Sequence, residues 1–252
     1  FCQNWQISQV ARDPDAAGWQ LQRTSPEQIA QAAKQADCAS VASTYNEPLI
    51  TSEWGRAVFQ EAQQRGLRTA YVSNGFATPE VLDYLTPVLD AMNVDLKCFT
   101  EDGYATLGGR LQPVLETIRS LPERGIWTEV VTLLVPGFND SDEEIREMAE
   151  FVASVGEDIP WHVSAYRAAY KYSERHDGTT PERLLAAAEA GRRAGVRYVY
   201  TGNVVADAEW TDTRCPECGE TLVRRSGFGG RVISMENGRC ANCHTPVPGV
   251  WA

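Results

Sequence analysis

Four cysteines carry the clearest chemistry in the sequence. Cys215-Pro216-Glu217-Cys218-Gly219 and Cys240-Ala241-Asn242-Cys243-His244 are CxxC knuckles with twenty-one residues between them. Two such knuckles bring four thiolates into a tetrahedron, so Cys215, Cys218, Cys240 and Cys243 are read as ligands of one zinc. A closed four-thiolate shell leaves no open position, which makes the site structural. Gly227-Phe228-Gly229-Gly230 fits a hairpin tip between the knuckles, and His244 stands where a knuckle usually has a small residue. It is read as solvent-facing or as a neighbour of the site. Redox use of the pairs is the weaker reading, because a thioredoxin-like site needs only one.

A second set of residues follows a series of short apolar runs: Tyr45-Asn46-Glu47-Pro48, Ser73-Asn74-Gly75, Asp95-Leu96-Lys97, Val135-Pro136-Gly137 and His162 to Tyr166. Ser-Asn-Gly and Asn-Glu-Pro are also ordinary turn chemistry. Asp95 and Lys97 alternate around Leu96, which puts both charges on one side of a strand, either to meet a ligand or as an internal ion pair. His162 is the only histidine in these runs, and a lone strand histidine is more often a satisfied core residue. Cys2, Cys38 and Cys98 alone read as inert buried thiols.

The elements that position these groups repeat. From about residue 25 to 200 the pattern is that of βα units on a parallel sheet. Strands are expected near 38–44, 68–73, 92–97, 126–135, 161–166 and 196–200, and helices near 51–65, 79–90, 112–124, 141–155 and 181–194. Ser25-Pro26-Glu27-Gln28, Thr78-Pro79-Glu80, Ser141-Asp142-Glu143-Glu144 and Thr180-Pro181-Glu182 are capped helix starts. Gly66, Gly125 and Gly195 are helix stops. Parallel α/β sheets bind ligands at the carboxyl ends of their strands, where the polar runs fall, so a site for a polar ligand is expected there. The stretch Tyr166-Arg167-Ala168-Ala169-Tyr170-Lys171-Tyr172 is read as an exposed loop, with a border to the substrate as the alternative.

At 252 residues, 43% hydrophobic and 9% aromatic, the chain suits a large globular domain with a small appendage. No run approaches the ~18 uncharged apolar residues of a membrane helix, and no secretory leader opens the chain. With four of its seven cysteines in two CxxC pairs that read as metal binding rather than disulfides, a soluble, cytoplasmic protein is expected. The 23 basic residues against 34 acidic ones give a net charge of -11, which disfavours nucleic acid as a partner. The excess is uneven, because residues 213–252 hold five Arg against three Glu.

Phe1-Cys2-Gln3-Asn4-Trp5-Gln6-Ile7-Ser8 resembles the end of the CxxxCxxC loop of radical S-adenosylmethionine enzymes, in the version carried by the AmmeMemoRadiSam system radical SAM enzymes. The five runs above resemble the same family, as do Val135 to Asp140, Trp161-His162-Val163-Ser164, Tyr198 to Asn203 and Pro248-Gly249-Val250-Trp251. Several are also similar to the pyruvate formate-lyase activating enzyme.

The resemblance implies a partial (β/α)6 TIM-like barrel over residues 1–205, with a zinc ribbon over 206–252. It implies Cys2 as the third cysteine of a [4Fe-4S] cluster, with the first strand and the other two cysteines preceding Phe1. One thiolate stands where such a cluster takes three, so the chain alone is expected to be inactive. The implied reaction is reductive cleavage of S-adenosylmethionine to a 5'-deoxyadenosyl radical that abstracts hydrogen. An electron donor such as flavodoxin or ferredoxin is implied as partner. Asn46 and Glu47 would meet the methionine amino group, Ser73 and Asn74 the ribose, and Asp95 and Lys97 charged ends of cofactor or substrate. Val135 would offer backbone to the adenine, and His162 would contact the cofactor. The rival reading is a zinc-ribbon module that binds protein or RNA on an inactive barrel. A glycyl-radical activase is a sub-case of the first.

Overall fold

The computed structural model describes residues 4–9, 22–172, 178–204, 208–227 and 229–251. Its centre is a six-stranded parallel sheet whose strands lie in sequence order, the order of a partial (β/α)6 barrel. The strands are β1 (Ser40–Ser43), β2 (Arg68–Ser73), β3 (Ala91–Asp95), β4 (Trp127–Leu134), β5 (Trp161–Ala165) and β6 (Val199–Gly202). The chain divides into two compact units: Phe1–Asp95 with Gly109–Thr128 and Arg167–Asp177, and Leu96–Gly108 with Glu129–Tyr166 and Gly178–Ala252.

In the first unit β1, β2 and β3 pair in parallel, with Ser43 opposite Tyr71 and Ser73 opposite Val94. The helices are α1 (Trp5–Ser8), α2 (Pro26–Gln35), α3 (Ser52–Gln64), α4 (Pro79–Leu85) and α6 (Leu111–Glu123). Ser25 caps α2 in a full capping box with Gln28, and Thr78 caps α4 through the Val81 N–H. Gly66 and Gly125 follow their helices with φ of 73°, the left-handed conformation that a helix stop asks for. Gly55 is set by contact instead, since a Cβ there would drive into the Tyr71 ring.

In the second unit β4 pairs with β5 and β5 with β6, and the helices are α5 (Glu101–Thr106), α7 (Asp142–Val155), α8 (Pro181–Arg193) and α9 (Ala208–Thr211). Trp161 is fully buried, and its indole N–H donates to Thr132 Oγ1 at 3.0 Å. Gly191 of α8 makes room for it, because a Cβ there would stand 2.8 Å from the ring.

Alternation along the strands separates buried from half-buried positions within each unit. In the first, Thr69, Tyr71 and Ser73 of β2 are buried while Asn93 and Asp95 of β3 are half-buried; in the second, Val130, Thr132 and Leu134 of β4 are buried while Glu129, His162, Ser164 and Tyr200 are half-buried. The half-buried positions are the more polar ones in both.

The ribbon belongs to the second unit. β7 (Thr213–Arg214), β8 (Thr221–Ser226) and β9 (Gly229–Val232) form an antiparallel sheet, and β10 (Met235–Glu236) pairs with β11 (Arg239–Cys240). Ser226 opposite Gly229 closes the β8–β9 hairpin at the expected tip, where Phe228 lies outside the described residues. The helix expected near 79–90 is α-helical only over Pro79–Leu85 and continues as a 3-10 turn at Thr86–Val88, while the short helices Glu101–Thr106 and Ala208–Thr211 and the 3-10 turns at Pro48–Thr51 and Tyr170–Tyr172 were not expected. Each of the unexpected elements has six residues or fewer, too short to show a 3.6-residue period.

Candidate functional site

In the first unit the strand-end residues are gathered by one carboxylate. Glu47 Oε1 accepts from Ser73 Oγ at 2.7 Å and from Leu49 N at 3.1 Å, and Oε2 accepts from Asn74 N at 2.7 Å. The end of β1 is thereby tied to the end of β2. A carboxylate has about four acceptor positions, so the three donors found among the described residues leave one, on Oε2. Ser73 Oγ also accepts from Gly75 N at 3.0 Å, so its hydrogen is committed and only acceptor capacity remains for a ligand. Asn74 accepts from Phe76 N through Oδ1 at 2.8 Å, which turns its NH2 into the available end. Gly75 has φ of 72°, and a Cβ there would meet Val94 Cγ1 at 2.5 Å, so close approach and backbone conformation both require glycine. Asn46 is exposed and donates to Ser8 O at 3.3 Å. Asp95 ends β3, half-buried. Cys2 lies outside the described residues.

In the second unit the strand ends are organised by Asn139, fully buried and absent from the expected site residues. Its Nδ2 donates to Lys97 O at 2.7 Å and Leu133 O at 2.9 Å, and its Oδ1 accepts from Val135 N at 2.7 Å. Val135 is 8% exposed, and its carbonyl accepts from Phe138 N and Asn139 N. The open backbone expected at Val135 is therefore taken up by the turn, and an adenine edge would be left with Pro136 and Gly137. Leu96 and Cys98 are fully buried while Lys97 is half-buried, as the alternation around Leu96 requires.

His162 has a partner that the sequence reading missed. Its Nε2 lies 2.8 Å from Glu129 Oε2, and its ring stacks on Tyr200 at 5.1 Å and 28°. With the carboxylate as acceptor the hydrogen sits on Nε2, and Nδ1 is the ring's acceptor. The signal for Glu129 was a single acid in the otherwise uncharged strand Trp127–Leu134.

The four ribbon cysteines come together, with all four sulfurs within 4.8 Å of one another. Cys215 and Cys243 are 3.5 Å apart, and Cys218 and Cys240 are 3.6 Å apart. These distances fit the edges of a tetrahedron with metal–sulfur bonds of ~2.3 Å, which are about 3.8 Å long. The knuckles are built alike. Gly219 N donates to Cys215 O and Cys215 N to Glu220 O, while His244 N donates to Cys240 O and Cys240 N to Thr245 O. His244, at φ of 60°, occupies the place that Gly219 fills at 74°. It is exposed and outside the sulfur cluster. Hydrogen bonds to Thr245 pull the Cys243 thiol down to about 6. Of the other thiols, Cys98 is buried as expected, and burial pushes it up to about 11. Cys38 is exposed, against expectation, because it lies just after the end of α2 and before β1 rather than under the sheet.

Among the described residues no helix is long and apolar enough to cross a membrane. The described residues combine a parallel α/β sheet whose polar strand ends are clamped with a cluster of four cysteines, and in sheets of this kind ligands sit at the carboxyl ends of the strands. The chain belongs to the Radical SAM superfamily, whose family model matches residues 1–152. It is 34% identical over 245 residues to an uncharacterized protein of Methanocaldococcus jannaschii, covering 96% of this chain and 71% of that one. It is 26% identical over 130 residues to the pyruvate formate-lyase 1-activating enzyme of Escherichia coli, 48% of this chain and 53% of that enzyme, and so spans about half its length. A solved domain of a pyruvate-formate lyase-activating enzyme from Bacteroides vulgatus shares the fold at a TM-score of 0.58 and 19% identity, over 66% of this chain and 99% of that one. A radical SAM methyltransferase from Sphaerobacter thermophilus does so at 0.56 and 16%, over 70% and 55%. Family membership implies a [4Fe-4S] cluster and S-adenosylmethionine, and supports an enzyme with a reaction of the radical SAM type in general.

Proposed function

We propose that the chain is the larger part of a radical SAM enzyme of the AmmeMemoRadiSam type, with the remaining cluster cysteines upstream of Phe1 and Cys2 as the third. The clamp around Glu47 carries the reading. Among the described residues it leaves a carboxylate oxygen with one acceptor position and an amide NH2 at adjoining strand ends, an acceptor and a donor that fit an ammonium and a ribose hydroxyl. When bound, cluster and cofactor together supply reductive cleavage of the sulfonium and hydrogen abstraction from the substrate. The chain's own residues bind and orient. Glu47 holds the methionine amino group, with Asn46 beside it. Asn74 donates to the ribose, and Ser73 accepts. Asp95 in the same unit would meet a charged end of cofactor or substrate, and within the second unit the family resemblance assigns Lys97 to a charged end, the turn after Val135 to the adenine and His162 to cofactor contact.

In this reading the ribbon over residues 206–252 binds zinc. Its own core is Cys215, Leu222, Val223, Cys240 and Val247, of which two are metal ligands. The three others bring about 1.5–3 kcal/mol each on burial, too little to order some forty residues without a metal. A flavodoxin or ferredoxin serves as electron donor. Calorimetry of S-adenosylmethionine binding to the parent and to Glu47→Gln tests the cofactor assignment. Equal affinity would overturn it.

A further inference from the structure

A chain of side-chain contacts in the second unit runs from the ribbon to His162. His162 and Tyr200 are opposite one another in the β5–β6 register, with their rings stacked at 5.1 Å. Stacking alone would be served by phenylalanine, but Tyr200 Oη is 2.9 Å from Thr213 Oγ1. Thr213 is a ribbon residue, 5% exposed, on β7 two positions before the ligand Cys215. Arg225 of β8 places its guanidinium carbon 5.0 Å from the Tyr200 ring centroid, and donates to Thr213 Oγ1 and, at 3.4 Å, to Thr211 O. Its backbone N–H donates at 2.8 Å to Asp212 Oδ1, a carboxylate whose side chain is 2% exposed, so the Arg225 backbone is itself anchored. Burial raises the Tyr200 phenol above its ordinary range, which keeps the hydroxyl protonated and able to donate. On the far side of the histidine, Nε2 is 2.8 Å from Glu129.

The χ2 torsion of histidine is broad, and one hydrogen bond at Nε2 does not fix the plane of the ring. The stack on Tyr200 does, and the Tyr200 ring is itself held from the ribbon. We propose that the ribbon is a positioning element for His162, in which Thr213 and Arg225 fix Tyr200, and Tyr200 fixes the plane in which His162 presents Nδ1. Ribbon metal is thereby coupled to the strand-end face through residues that bind neither metal nor cofactor. The inference deepens the cofactor reading of His162, but its test needs no cofactor.

The measurement is the His162 ring C–H resonance in the whole protein without S-adenosylmethionine, assigned by its loss in His162→Gln. In the parent it carries a ring-current shift from Tyr200. Thr213→Val and Tyr200→Phe should each reduce that shift and broaden the line, and stripping the ribbon metal with a chelator should do the same. Thr213→Val keeps the side-chain shape, and Tyr200→Phe lies outside the ribbon, so loss of ribbon folding in one leaves the other as the test. A resonance at the parental position in Tyr200→Phe and in the metal-stripped protein would overturn the proposal. If S-adenosylmethionine fails to bind the parent while the resonance moves as expected, the cofactor reading falls and the positioning stands.

Discussion

Replacing Glu47 by Gln separates what the clamp does for the fold from what it does for a ligand. The carboxylate accepts from Ser73 Oγ and Asn74 N at 2.7 Å and from Leu49 N at 3.1 Å. A glutamine offers only one oxygen. If that oxygen faces Ser73 and Leu49, the new NH2 points at the Asn74 N–H. If it faces Asn74, the Leu49 N–H loses its acceptor, although the Ser73 hydroxyl can turn to accept. One backbone donor is unpaired in either case, at about 1–2 kcal/mol. For a chain of this size each kcal/mol lowers the melting temperature by about 2–4 °C, so a fall of about 2–8 °C is expected. The loss of affinity should be larger. A buried charge-assisted contact typically costs about 2–5 kcal/mol when one partner is removed, and about 1.4 kcal/mol is tenfold, so S-adenosylmethionine should bind about 30-fold more weakly or worse. Thermal unfolding beside titration calorimetry reads both, with Lys34→Gln at the exposed end of α2 as a control for charge loss. Ser73→Ala, which keeps the charge, should lower stability by about 1 kcal/mol and leave affinity within roughly tenfold. Glu47→Gln that melts and binds as the parent does would refute both halves of the reasoning.

The ribbon should yield about one zinc per chain by elemental analysis after anaerobic purification, and Cys218→Ala with Cys243→Ala should lose both the metal and the ribbon fold; a ribbon that stays folded without metal would refute this. In the whole protein, Cys2→Ala should abolish the cluster absorbance after reconstitution with iron and sulfide, and unchanged absorbance would remove Cys2 from the cluster. Asn139→Ala leaves the Val135 N–H without its acceptor and two carbonyls without their donor, so a loss of about 2–4 kcal/mol is expected by denaturant unfolding. Cys98 is raised by burial from 9.0 to about 11. The folded state therefore favours the neutral thiol, so its contribution to stability is full below about pH 9 and lost as pH rises toward 11. Alkylation of the native protein at pH 8 should accordingly label the exposed Cys38 and spare Cys98, as peptide mass mapping would show.

The elements were legible where period and caps agreed. Ser25, Thr78, Ser141 and Thr180 each accept the backbone N–H three positions on, as their spacing foretold. The ribbon was legible because its ligands lie in two local knuckles. What escaped was long-range. Asn139 looked like part of a Pro-Gly-Phe-Asn-Asp turn, and nothing local says that its amide reaches Lys97 O, forty-two positions away. The partner of His162 is thirty-three positions away on the neighbouring strand, and Cys38 was read as buried only because lone cysteines usually are.

Glu47 shows how much of a strand-end acid's bonding lies beyond its local sequence. As a strand-end acid beside Asn and Pro it suggested a carboxylate waiting for an ammonium, but most of its acceptor capacity is spent on Ser73, Asn74 and Leu49. The same bonds make it useful. A carboxylate held by three donors is fixed in place, and its remaining acceptor position points where the strand ends put it, so little ordering remains to be done when a ligand arrives. A side chain waiting free in solvent would lose rotamer freedom on binding, and a buried one with no donors would be driven to protonate. Binding capacity at such a strand end is therefore measured by the one unfilled acceptor, and the other three set its strength.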